Sequence, residues 1–213
     1  MSELVKWHRD VVGGKVVKAL EKNNFTASYV TTRQEALAKL LELIPGEASI
    51  GFGGSVTLEQ VGIVAKLEER GNPVLSWAKP GISPQESIAI RRKQLLSDVY
   101  LTGTNAVTLD GKLVNVDGTG NRVAAMTFGP EKVFVVVGVN KVVTDVAEAE
   151  NRVRLWASPP NNKRLGYANP CAQTGVCVDC QGTSRICNVT TIMHKRPRVT
   201  DIHVIVVGED LGL

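Results

Sequence analysis

Long apolar runs are missing from this chain of 213 residues. No segment approaches the ~18 apolar residues needed to span a bilayer, so no membrane span is expected. The opening stretch, MSELVKWHRDVVGGKVVKAL, has no uninterrupted apolar run and carries acidic residues, which argues against a secretory leader. An excess of one charge is also missing. The 25 basic and 21 acidic residues are spread along the chain and leave a net +4, so no nucleic-acid footprint follows. The densest basic cluster, His194-Lys195-Arg196-Pro197-Arg198, contains a proline and reads as a solvated turn. Internal repeats, low-complexity tracts and Pro/Ser-rich linkers are absent, so residues 1–213 are expected to form a single domain. Cysteine occurs only four times, all between positions 171 and 187. A leaderless chain is expected in the cytoplasm, where structural disulfides are rare.

What is present is alternation. Short β-branched runs such as Ser49–Gly53, Pro73–Trp77, Asp98–Thr102, Lys132–Gly138 and Ile202–Val207 are separated by helical patterns. The last two are almost continuously apolar, which suits strands covered on both faces of a parallel sheet. Thr32 with Glu35, Thr57 with Gln60 and Asp145 with Glu148 have capping-box spacing, and Ser83-Pro84-Gln85-Glu86 adds a proline at the first helical position. Asp110-Gly111 between two β-rich runs predicts a hairpin. The expected fold is therefore α/β: a Rossmann-like, mostly parallel sheet flanked by helices, with an antiparallel hairpin insertion. A cysteine-bearing loop over 170–188 precedes the last strand.

Three stretches can carry chemistry. In GFGGSVTLEQVG, Gly53 and Gly54 let the backbone approach a ligand, and Ser55 and Thr57 open a helix whose free N–H groups favour a carboxylate or phosphate. The stretch is neither G-x-G-x-x-G nor a Walker A loop, so no nucleotide follows from it. A tight, capped turn explains the same residues without a ligand. The second stretch, Thr104 to Arg122, places Asn105, Thr108, Asp110, Asn115, Asp117, Gly118, Gly120, Asn121 and Arg122 on hairpin ends and a glycine-rich loop. Small polar groups at strand ends build the crevices of open α/β sheets. Asp110 and Asp117 are acid–base candidates, and Arg122 is a candidate anion clamp. Asn, Asp and Gly are also the ordinary turn formers.

The third stretch has the spacing C-x5-C-x2-C-x6-C over Cys171, Cys177, Cys180 and Cys187. Four thiolates on one loop can converge on a metal, and C-x-x-C is the two-ligand step of zinc knuckles and iron–sulfur loops alike. A redox relay explains only Cys177 and Cys180, and paired disulfides conflict with the expected compartment. Zinc and a [4Fe–4S] cluster both stay open, as do four unligated thiols. The proline before Cys171 favours the cluster. His194 is a substitute ligand at most.

These stretches, with DVYLTGTNAVTLDGKLVNVDGTGNRVAAMTFGPEKVFVVVGVNKVV and the loop end DCQGTSRICN, resemble the LUD-domain (lactate-utilisation) family over roughly residues 1–208. The resemblance implies a NagB/RpiA/CoA-transferase-like fold and a ligand at the C-terminal ends of the strands. It adds Glu59, Gly111 and Lys141 to the polar set. It also implies an accessory or small-anion-binding role in an iron–sulfur lactate-oxidising system, beside iron–sulfur partner subunits. The alternative is a stand-alone isomerase or acyl-transferase-like enzyme acting on a sugar phosphate or CoA-linked substrate. There Glu59, Asp110 and Asp117 would serve as acid–base groups, with Lys141 and Arg122 on the anion. Homo-oligomerisation is left open.

Overall fold

The computed structural model describes residues 2–213. Its centre is an all-parallel, five-stranded sheet in the order β1 (Thr26–Val30), β9 (Asp201–Val207), β6 (Lys132–Gly138), β3 (Val99–Gly103), β2 (Ile50–Phe52). Residues of β6 alternate between two cores. Phe134 and Val136 face one side, and Val133, Val135 and Val137 face the other. Burial on both sides is why the run carries no polar alternation. Each buried Val-sized side chain contributes about 1.5–3 kcal/mol of transfer free energy.

The first face is covered by α2 (Arg33–Leu43), α3 (Val56–Val61) and α4 (Ile63–Arg70). The second is covered by α1 (Glu3–Lys22), α6 (Asn121–Phe128) and a smaller sheet. That sheet has the order β7 (Val142–Val143), β4 (Ala106–Thr108), β5 (Leu113–Asp117), β8 (Val189–Met193). The antiparallel insertion is thus larger than a hairpin. β4 and β5 pair antiparallel as expected, while β7 adds in parallel to β4, and β8 returns after the cysteine loop to pair with β5. The remaining helices are α5 (Pro84–Lys93), α7 (Val146–Arg152), α8 (Ser158–Arg164) and the single turn α9 (Cys171–Thr174).

Local signals hold in most places. Thr32, Ser83 and Asp145 cap α2, α5 and α7, and Ser83 with Glu86 closes a full capping box. Two expectations fail. Ser55, not Thr57, caps α3: its extended backbone lets Oγ accept from the Leu58 N–H at 3.3 Å, while Thr57 lies inside the helix and is fully buried. The run Pro73–Trp77 forms only one bridge, Val74 to Ile50, before the chain turns away. Trp77 Nε1 donates to the Phe52 carbonyl at 3.2 Å, and the Arg91 guanidinium lies 4.3 Å from the Trp77 ring centroid. Its side chain props the end of β2 instead of continuing the sheet. No helix among the described residues is long and apolar enough to cross a membrane.

Candidate functional site

Parallel strands deliver their C-terminal ends to one edge of the sheet, and polar residues follow β2, β3, β6 and β9 there. After β6, a short turn places Lys141 beneath the start of α3. Its ammonium group is buried and donates to Thr57 Oγ1 at 2.9 Å. Thr57 Oγ1 in turn donates to the Leu211 carbonyl at 3.4 Å. Burial is the main force pushing the Lys141 pKa down to about 7, and the positive charges of Arg152 and then Arg122 add to it.

Arg152, at the end of α7, reaches the same edge. Its guanidinium donates only to main-chain oxygens: those of Asn140 at 3.3 Å, Asn105 at 2.8 Å and Leu213 at 3.3 Å. Burial lowers its pKa as well. Among the described residues, no Asp or Glu lies within ion-pair distance of Lys141 or Arg152. Two buried cations therefore stand close together at this edge of the sheet without a side-chain counterion. The segment after β9 crosses it: Leu211 is buried, and the Gly212 N–H donates to Gln60 Oε1 at 2.7 Å. Gly212 has φ +68°, and a Cβ there would stand 2.8 Å from Lys141 Nζ. A Cβ at Gly103 would come within 2.9 Å of Ser55 Oγ and displace that hydroxyl. At α3, only six residues long, few peptide dipoles add up. The positive character of the crevice comes from its side chains.

Arg122 forms the neighbouring hub and spends its donors internally. Nε donates to Asp117 Oδ1 at 3.0 Å, Nη1 to Asn115 Oδ1 at 2.6 Å and the Gly103 carbonyl at 3.2 Å, and Nη2 to Asn105 Oδ1 at 2.9 Å and the Val116 carbonyl at 3.0 Å. Asp117 also accepts the N–H groups of Arg122 and Val123, capping α6 across the turn through Gly118, Gly120 and Asn121. Asn105, Asn115, Asp117 and Arg122 thus form one network that ties β3, β4, β5 and α6 together.

The other acidic candidates stand elsewhere. Asp110 is held by Thr108 and, at 2.6 Å, by Lys112. The side chain of Asn23 donates to the carbonyls of Asp110 and Gly111 at 2.8 and 2.9 Å. Asn23 ends α1 just before β1 begins, so the hairpin tip lies at the N-terminal edge of the main sheet, opposite Lys141. Glu59 points outward, with 63% of its side chain exposed and Arg164 3.8 Å away. Gly53 and Gly54 line the loop beside Arg122 and Trp77. Nothing in the sequence marks Arg152 or Asn140, and the spacing of Gln60 to Thr57 suggests a capping partner where the structure has it accept from Gly212. Arg152 sits in a helix with ordinary surface composition, and only the tertiary fold turns it inward.

The four cysteines are free thiols, with Cys171 buried and the others partly exposed. Asn162 Nδ2 donates to Cys171 Sγ at 3.3 Å, Ser158 Oγ lies 3.1 Å from Cys187 Sγ, and the Cys177 N–H donates to the Arg154 carbonyl at 3.1 Å. Arg185 braces the loop through Asp179 and the carbonyls of Cys180 and Cys187. Burial raises the pKa of Cys171, and the other three thiols add to the rise. The donor set fits a soft, thiolate-bound metal. As placed, no three His, Cys, Asp or Glu side chains among the described residues stand in metal-binding geometry, so binding would require the loop to tighten. His194 is no substitute ligand: it is exposed and follows β8 at the end remote from Cys187.

The chain is similar in structure to a DUF162 family protein from Deinococcus radiodurans, with a TM-score of 0.53 and 16% identity over 93% of this chain and 98% of that one. At that identity the likeness speaks for the fold alone. No curated protein matches the sequence. The LUD-domain family profile matches residues 14–207, from α1 to the end of β9, and the chain belongs to the LUD-domain family.

Proposed function

We propose that this LUD domain binds a small carboxylate or phosphate in the crevice between Thr57, Lys141 and Arg152, and serves as an anion-binding subunit of an iron–sulfur lactate-oxidising system. One observation carries the reading: Lys141 and Arg152 are buried together without an acidic side-chain partner. Burying like charges side by side costs stability, and an anion relieves that cost. The Leu213 main-chain oxygen on Arg152 Nη1 marks where a ligand's anionic oxygen would stand. A ligand oxygen there would accept from Arg152, and a second oxygen would accept from Lys141, whose ammonium has donors to spare beyond its bond to Thr57. Gly212 lets the main chain pack directly against Thr57 and Lys141, where a Cβ would clash. The residues from Leu211 onward would shift aside for the ligand and afterwards exclude water from it.

The cysteine loop is the second part of the proposal. Cys171, Cys177, Cys180 and Cys187 would hold a [4Fe–4S] cluster or a zinc ion, the cluster supplying electron transfer and zinc a structural staple. Calorimetric titration of the full chain with L-lactate and with inorganic phosphate tests the crevice. The expected result is saturable binding of at least one, weakened tenfold or more in Arg152→Ala. Absence of binding up to tens of millimolar, or binding indifferent to Arg152, would refute it. Anaerobic purification with metal analysis and electron paramagnetic resonance tests the loop, and a metal-free protein with four titratable thiols would exclude the metal.

A further inference from the structure

The two candidate sites are consecutive on one stretch of helix. α7 ends at Arg152, the crevice residue, and α8 begins at Ser158, which touches Cys187. Between them the backbone is not α-helical: Val153–Ala157 forms a π-helical turn. Every contact from this segment to the cysteines lies beyond Arg152. The Arg154 carbonyl takes the Cys177 N–H, Ser158 meets Cys187, and Asn162 meets Cys171. π-Turns are uncommon, hold one extra residue in a turn and are concentrated at functional sites. A slip back to α geometry would rotate whatever follows against whatever precedes. The soft point of the segment thus lies between the anion-binding arginine and the thiol contacts.

The cysteine loop also has a reason to move. Cys177, Cys187 and Cys171 each contact residues 154–162, yet no three of the thiols stand in metal-binding geometry. Closing on one ion would move Cys171, Cys177 and Cys187, and each of these is hydrogen-bonded to the π-turn or α8. Arg152 has no Asp or Glu side chain to hold it among the described residues, only three main-chain oxygens. Its position therefore depends on the backbone that carries it.

We propose that metal loading of the cysteine loop tightens anion binding in the crevice, with the π-turn as the coupling element. This rests on the crevice and loop readings above. A filled loop fixes α8 and the π-turn, so Arg152 is pre-organised and the anion no longer bears the cost of ordering it. Because coupling is reciprocal, the anion would tighten metal binding by the same factor.

The test uses the reduced full chain, stripped with a chelator, with and without one equivalent of Zn2+. The probe is whichever of L-lactate and inorganic phosphate binds more tightly, followed by calorimetry. The expected result is a Kd lowered about fivefold or more by zinc. In Cys177→Ser/Cys180→Ser, both partly exposed positions, zinc should leave the Kd unchanged. Ser158→Ala, which keeps all four thiols, should still bind zinc but show a smaller effect on the anion. A wild-type change below fivefold, a weakening, or an undiminished zinc effect in either variant would overturn the coupling while leaving the crevice reading intact. Failure to bind zinc would overturn the coupling and the zinc form of the loop reading. Failure to bind either anion, with or without zinc, would overturn the crevice reading and the coupling together.

Discussion

Lys141→Met is the sharpest perturbation the crevice offers. In the unfolded chain the ammonium stays protonated to its ordinary 10.5, whereas in the folded protein it is released near 7. Between those values the unfolded state binds one more proton, so stability rises with pH by up to about 1.4 kcal/mol per pH unit. At and below pH 7 the full penalty is present. The drop in pKa bounds it at about 4–5 kcal/mol, less whatever solvent penetration relieves. Methionine is unbranched, close in length and carries no charge to desolvate. The variant loses the bond to Thr57, worth about 1 kcal/mol. Lys141→Met should therefore be more stable than wild type by about 1–3 kcal/mol at pH 6–7. That advantage should shrink as pH rises toward 9. Urea unfolding at half-unit pH steps from 6 to 9 measures it. The difference between the two proteins matters more than either curve, because the raised thiol pKa values of Cys171 and Cys187 act in the opposite sense above pH 8 in both. A variant less stable at every pH, or an advantage that stays flat from pH 6 to 9, would refute the buried, uncompensated cation.

Further outcomes follow from the same geometry. L-lactate affinity should fall as pH rises through about 7, by up to about tenfold per pH unit, because Lys141 is then neutral; a flat profile from pH 6 to 8.5 would remove Lys141 from the site. Arg122→Ala should destabilise by about 3–5 kcal/mol in urea unfolding, since it strands a largely buried Asp117 and two asparagines. Arg122→Lys should recover little of this, because one ammonium cannot replace a planar fork of donors. Asp110→Asn should leave lactate affinity within twofold of wild type, because the hairpin tip lies at the far edge of the sheet; a larger loss in the same titration would place it in the site.

The parallel sheet is legible in the sequence because burial on both faces leaves an unbroken apolar signature, as in Lys132–Gly138. Caps at Thr32, Ser83 and Asp145 are legible because they depend on neighbours three residues away. Thr57 shows the limit. Its spacing to Gln60 satisfies the capping rule, yet Ser55 two residues earlier takes the cap, and the tertiary fold gives the Thr57 hydroxyl to Lys141. Asp110 and Asp117 look alike in sequence, both followed by glycine at the ends of β-rich runs. Only the direction of β5 sends one to each edge of the sheet. Arg122 and Arg152 cannot be ranked from composition either. Which arginine is satisfied internally and which keeps only main-chain oxygens as partners is decided by residues far away in the chain, such as Asn105 and Leu213.

The position of β9 has a consequence for how the chain reaches this structure. It occupies residues 201–207, yet it lies between β1 and β6 and is the only partner of β1 in the sheet. During synthesis, β1 must wait for about 170 further residues to emerge before its edge is covered by β9. Pairings of that sequence separation form slowly and leave unpaired edges exposed meanwhile. Over that interval β2, β3 and β6 can assemble, and the four thiols leave the ribosome before the sheet closes. The cysteine loop is therefore synthesised before the strand that completes the framework carrying it.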